Sequence, residues 1–151
     1  MKIAVLLSGL SYVPSKTVPS PTGPKQITID FRDTLQCIKN VSTTLGDTDY
    51  FLCTNQHDRL AELEKSFMPK VLLLSNASNM GKRNELLNAF KPYADDYDHV
   101  IHTRFDIYLM LDVKRCMRPD SFNIITTDPI GVCDNLILFP TNLMPLYDKV
   151  L

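Results

Sequence analysis

A chain of 151 residues with 44% hydrophobic and 22% charged residues has the size and composition of one folded domain, which excludes a disordered chain. A net charge of -1 lacks the basic excess of a general nucleic-acid binder. No run of about 18 apolar residues is present, so no membrane-spanning helix is expected.

The first element is a continuous apolar run from Ile3 to Leu7, read as a strand covered on both faces. It follows Lys2 and is short, and no small-residue cleavage site follows, so it reads as a buried strand rather than a signal peptide. Tyr12 to Pro24 contains Pro14, Pro19, Pro21, Pro24 and Gly23, and reads as a long mobile loop. From Asp30 to Leu45 an apolar stripe of Phe31, Leu35, Ile38, Val41 and Leu45 predicts a helix, closed by Gly46. Asp49–Cys53 is a second strand. Asp58 to Phe67 is a second helix, stopped by Pro69. Val71–Leu74 is a third strand, Gly81 to Phe90 a third helix limited by Pro92, and Tyr97 to Phe105 a fourth strand.

Strands alternating with helices imply a parallel sheet with right-handed crossovers. After Met110 the rhythm changes. Ser121–Thr127 and Val132–Phe139 read as two strands without a helix between them, and Leu143–Leu151 as a final helix. The expected fold is therefore a single α/β domain over residues 1–151, three-layer α/β/α, with a mostly parallel sheet that is mixed at its C-terminal side. Cys37, Cys53, Cys116 and Cys133 are widely spaced and form neither a CxxC pair nor a Cys/His cluster, so reduced thiols in a cytoplasmic protein are expected. The Asn-x-Ser triplets at Asn40 and Asn76 read as chance matches.

Ligands of such sheets sit at the carboxyl ends of the strands. Four segments there carry chemistry. Ser8-Gly9-Leu10-Ser11 is either a plain turn or a close backbone approach to a ligand, glycine permitting the approach and serine a hydrogen bond. Asn79-Met80-Gly81-Lys82-Arg83-Asn84 opens a helix, where exposed N–H groups and two cations suit an anion; the alternative is a solvated first turn. Arg104-Phe105-Asp106 ends the fourth strand, and alternation puts Arg104 and Asp106 on one side. A guanidinium there can hold a phosphate and a carboxylate a divalent cation, or the two can pair with each other. His99 and His102 on the same strand read as packing residues. Asp134-Asn135 precedes an apolar strand and offers either sugar contacts and a carboxylate or a capping turn. Cys133 has no visible base beside it and is not read as a nucleophile.

Together these segments resemble small glycosyltransferase-like proteins of viruses and bacteria, of the GT-A type. The resemblance rests on a K-I-A-x-x-L-S-G strand at Lys2–Gly9, a Y-D-x-V-x-x-T-R-F-D strand within Tyr97–Leu109, and a C-D-N-x-x-x-F-P segment at Cys133–Pro140. It implies a Rossmann-like GT-A core that moves a sugar from a nucleoside-diphosphate donor to a hydroxyl of a glycan or glycoprotein. Ser8, Gly9 and Leu10 would lie against the nucleotide. Lys82 and Arg104 would bring positive charge to the diphosphate, Arg83 would contact the diphosphate or the donor sugar, and Asp134 and Asn135 the donor sugar or the acceptor. Asp106 matches the metal-binding position of the family's Asp-x-Asp, with Arg104 in place of the first Asp, so Mn2+ or Mg2+ on Asp106 is an expectation of the resemblance. In an inverting transfer Asp134 would be the general base, whereas a retaining one would not need a base there; Asp106 is the other expected catalytic carboxylate. Tyr12 to Pro24 would form a lip over the donor. The chain ends soon after Asp134, which implies a donor-binding core with a reduced acceptor side. The alternatives are a catalytically degenerate nucleotide- or glycan-binding domain, or an unrelated α/β interaction module.

Overall fold

The computed structural model describes residues 1–107, 118–125 and 136–150. The first strand, β1 (Lys2–Ser8), is buried from Ile3 to Ser8 and lies inside the sheet. A hairpin follows, of β2 (Tyr12–Val18) and β3 (Lys25–Asp30). The predicted loop from Tyr12 to Pro24 is thus corrected to a strand and its turn. Val13, Thr17 and Val18 face Ile29, Gln26 and Lys25, a β-forming set that the prolines obscure in the sequence. Pro14 falls where the register shifts between Val13 and Lys16, and so takes no ladder position.

The first helix, α1 (Phe31–Leu45), begins where Asp30 turns extended and its carboxylate accepts the Arg32 N–H. Its buried face is Phe31, Thr34, Ile38, Val41, Ser42 and Leu45. Gly46 ends it at φ 157°, and a Cβ there would stand 2.1 Å from the Met1 carbonyl oxygen, so only glycine lets the chain pass the start of β1. Then come β4 (Asp47–Thr54), α2 (Leu60–Phe67), β5 (Val71–Leu74), α3 (Asn79–Phe90), a 3₁₀ turn over Lys91–Asp96, and β6 (His99–Arg104). The remaining described elements are β7 (Asn123–Ile125), β8 (Leu136–Pro140), a 3₁₀ turn at Thr141–Leu143 and a helix, here α4 (Met144–Val150).

The sheet order is β5-β4-β1-β6-β8-β7. The first four in that order run parallel, whereas β8 is antiparallel to β6 and β7 to β8. This is the mixed, mostly parallel α/β sheet expected, compatible with a Rossmann-like fold. Alternation splits the sheet residues between two cores. Ile3, Val5, Leu7, Leu52, Ile101 and Phe105 pack with Phe31, Ile38, Leu63 and Phe67 of α1 and α2. Ala4, Leu6, Phe51, Val100 and Ile137 pack with Leu86, Phe90, Met144 and Tyr147 on the other face. Each face of the sheet is covered by a largely apolar core, and the strand ends are the place for polar chemistry.

Among the described residues no helix is long and apolar enough to cross a membrane. Cys37 and Cys53 are free thiols, while Cys116 and Cys133 lie outside the described residues.

Candidate functional site

The chain leaves β1 toward β4 and β5 on one side, then crosses back through α3 to β6 on the other. The connections therefore diverge between β1 and β6. In open parallel sheets a crevice forms at the carboxyl ends of such a pair. Ser8 and Arg104 are direct partners at that point in the register.

The turn after β1 is held by the Gly9 N–H donating to the Cys53 carbonyl at 3.1 Å. Gly9 has φ +116°, which an L side chain rarely adopts, and its Cβ position lies 3.8 Å from Asn79 Oδ1 at the start of α3. The structure thus brings Ser8-Gly9-Leu10 and the head of α3 together. Ser78 caps that helix, its Oγ accepting the Gly81 N–H at 3.1 Å.

Lys82 and Arg83 do not lie in a solvated first turn. They are 3% and 2% exposed. Lys82 Nζ donates to the Ala77 carbonyl, and the Arg83 guanidinium packs on the Met80 sulfur. Asn79 and Asn84 of α3 are exposed instead, and the cations fold inward.

At the end of β6, Arg104 and Asp106 bracket Phe105, which is fully buried. Thr34 of α1 donates to the Phe105 carbonyl and so ties this turn to the opposite layer. Arg104 Nε and Nη2 donate to the two Asp106 carboxylate oxygens at 2.9 and 2.6 Å, a two-point charge-assisted pair. The pairing alternative weighed in the sequence is the one realised. It also bears on the metal. Both Asp106 oxygens are engaged by Arg104, and among the described residues no three His, Cys, Asp or Glu side chains converge on a cation position. The described residues do not by themselves fit a divalent cation. Asp134 and Asn135 lie outside the described residues.

Two histidines at this edge were not read as site residues. His102 is buried, and its Nε2 lies 2.9 Å from Ser8 Oγ and its Nδ1 2.6 Å from the Tyr147 hydroxyl. Burial, with the Arg83 charge adding to it, pushes the His102 pKa down to about 3, so the ring is neutral. His57 sits on the β4–α2 connection. Its Nε2 is 2.8 Å from Ser11 Oγ, and its Nδ1 accepts the Arg59 N–H at 3.1 Å. Burial lowers its pKa too, against the opposing pull of Asp58 and Asp30. No local pattern signals the pairing of Ser11 with His57, because it joins segments 46 residues apart. Cys53 is no nucleophile: burial and the neighbouring Glu85 push its thiol up to about 11.

No protein-family model, curated protein or solved structure matches the chain.

Proposed function

We propose that this chain is a nucleotide-sugar-dependent glycosyltransferase with a GT-A-like core. The observation that carries the reading is the placement of Arg104-Phe105-Asp106 directly beside Ser8-Gly9 where the β-strand connections diverge. A nucleoside diphosphate is the leaving group of such a transfer, and the negative charge it develops needs fixed donors. The Arg104 guanidinium, held by both oxygens of Asp106, is a preorganised group of that kind. Arg83 brings a second cation to the same face of the sheet. Asp134 is the proposed base that takes the acceptor hydroxyl's proton.

Isothermal titration with UDP- and GDP-sugars, with and without manganese, tests the reading. Binding of one donor is expected, weakened on the order of a hundredfold in Arg104→Ala by loss of a charged hydrogen-bond donor. Absence of binding to every donor overturns it. A second reading, a donor-binding domain without transfer, is favoured by the closed Arg104–Asp106 pair, which spends the carboxylate on structure. Donor binding without sugar release across a broad acceptor panel selects it. Transfer that is lost in Asp106→Ala selects the enzyme.

A further inference from the structure

Among the described residues the sheet ends on β7 at one side and on β5 at the other. An edge strand presents a row of unpaired N–H and C=O groups, which proteins usually blunt with a charge or a proline. β5 has neither. It reads Val-Leu-Leu-Leu from Val71 to Leu74 and pairs with β4 alone. The charge next to it, Lys70, is folded back, its Nζ lying 2.9 Å from both Asp49 Oδ2 and the Tyr97 hydroxyl.

Alternation divides the strand between the two cores. Val71 and Leu73 pack on the α3 side and Leu72 on the side of α1 and α2, so Leu74 shares the face of Leu72. Leu74 is 50% exposed, and Met68, just ahead of β5, is 80% exposed. Met68 and Pro69 line an open pocket of about 490 Å³ with Ala61, Glu64 and Lys65 of α2. β5 thus carries an apolar knob at its end and a pocket at its start, both toward the layer of α2. Glu64 and Lys65 offset each other, so the lining of the pocket carries no net charge against an apolar knob.

The knob and the pocket lie at opposite ends of one strand and do not meet within a chain. They meet between two copies, because a two-fold axis sets the end of each strand beside the start of the other. The same antiparallel contact gives the open edge a second row of ladder partners. We propose that β5 is the interface of a two-fold homodimer, in which Leu74 of each copy enters the pocket beside Met68 of the other and the sheets join edge to edge. A net charge of -1 leaves little repulsion between copies. A strand of 4 residues keeps the interface small, under about 1,200 Å² in total, so the dimer forms and parts with concentration. A lipid surface does not suit this edge, since open ladder groups find no partners in hydrocarbon. β4 separates the edge from the β1–β6 crevice, so the dimer and the nucleotide reading stand or fall separately.

Sedimentation velocity over a series from about 1 μM to about 1 mM is the first arm of the test, and wild-type protein is expected to pass from monomer to dimer within it. Leu74→Lys is expected to move that midpoint at least about tenfold higher. Leu146→Lys, at a side chain 49% exposed on α4, is expected to leave it in place. Both leucines are at the surface, so the fold tolerates either change. The second arm mixes Met68→Cys with Leu74→Cys under oxidation. A disulfide between positions 68 and 74 of different copies, read by peptide mass, is expected in the mixture. Wild-type protein that stays monomeric across the series overturns the proposal. So does a dimer that Leu74→Lys leaves intact, one that Leu146→Lys weakens as much, or a mixture without the 68–74 cross-link.

Discussion

Ser8 with His102 and Ser11 with His57 are the same pair of side chains, three residues apart on one turn, facing opposite layers of the sheet. The pair on the α2 side is fixed by a backbone N–H and drains into Thr54 and Asn55. On the α3 side His102 Nδ1 meets the Tyr147 hydroxyl at 2.6 Å and Nε2 meets Ser8 Oγ at 2.9 Å, and either hydroxyl can be donor or acceptor. The difference is that a backbone N–H sets every proton on one side, whereas the ring tautomer sets them on the other. A serine–histidine contact is therefore not evidence of chemistry until the partner on the far ring nitrogen is known. With an N–H there, as at His57, the histidine cannot act as a base toward the serine, so Ser11 is not arranged for nucleophilic attack.

The largest expected effect separates the two rings by pH. The unfolded chain protonates His102 near the ordinary 6.5, whereas the folded protein resists down to about 3. Below about pH 6.5 the unfolded state thus binds a proton that the native state does not, and stability falls as pH falls. At roughly 1.4 kcal/mol per pH unit, acidifying from pH 7 to about pH 4.5 removes about 3 kcal/mol through His102. Urea unfolding at a series of pH values reads this, and ring-proton NMR apportions it. The His102 resonances should stay put to about pH 4, whereas those of His57, less deeply buried, should titrate earlier, below their ordinary value. Asp30 and Asp49 act in a different window. Arg32 holds Asp30 below the usual carboxylate range, and Lys70 and Tyr97 do so for Asp49 against its burial, so their contribution is lost only as pH falls below about 4.

The next effect breaks the other pair. Thr54→Val keeps the shape of a fully buried side chain but removes the acceptor for both the Ser11 N–H and the Ser11 hydroxyl. Leaving buried donors unmet costs about 2 kcal/mol. Urea unfolding should show that loss, while pyrophosphate and nucleotide affinities stay at their wild-type values. A parallel loss of affinity would mean that the two pairs are one site, and would erase the distinction drawn between them.

How far the sequence anticipates all this depends on the range of the interaction. Helix α1 was legible because its stripe, its Asp30 cap and its Gly46 stop are local signals. The parallel strands β1, β4, β5 and β6 were legible as apolar runs between helices. The hairpin was not, because Pro14, Pro19, Pro21 and Pro24 mask a β pattern whose partner residues lie beyond them. The Arg104–Asp106 pair was readable as a spacing of two along a strand. The inward turn of Lys82 and Arg83 was not, since charge at a helix start ordinarily points to water and only the packing of α3 on β1 and β4 reverses it. His102 was recognised as buried, but its role depends on Tyr147, 45 residues away on the last helix, and no local pattern encodes that contact.

The smallest effect concerns the glycine between the two pairs. Gly9 stands one residue after Ser8 and two before Ser11, and its N–H ties the turn to β4 through Cys53. Gly9→Ala meets only an ordinary contact at Asn79, so no clash is expected. The cost is the φ of +116° alone, about 1 kcal/mol. If the backbone keeps that angle, both pairs survive, and unfolding shows the loss while the His102 and His57 ring signals stay where they are. If the turn relaxes instead, Ser8 and Ser11 shift together, and both ring signals move with unchanged stability. The first result leaves the two pairs independent devices on a rigid turn, because strain then stays at the one residue that bears it. The second makes the turn a mechanical link between them, so that a displacement at Ser8 would be felt at His57.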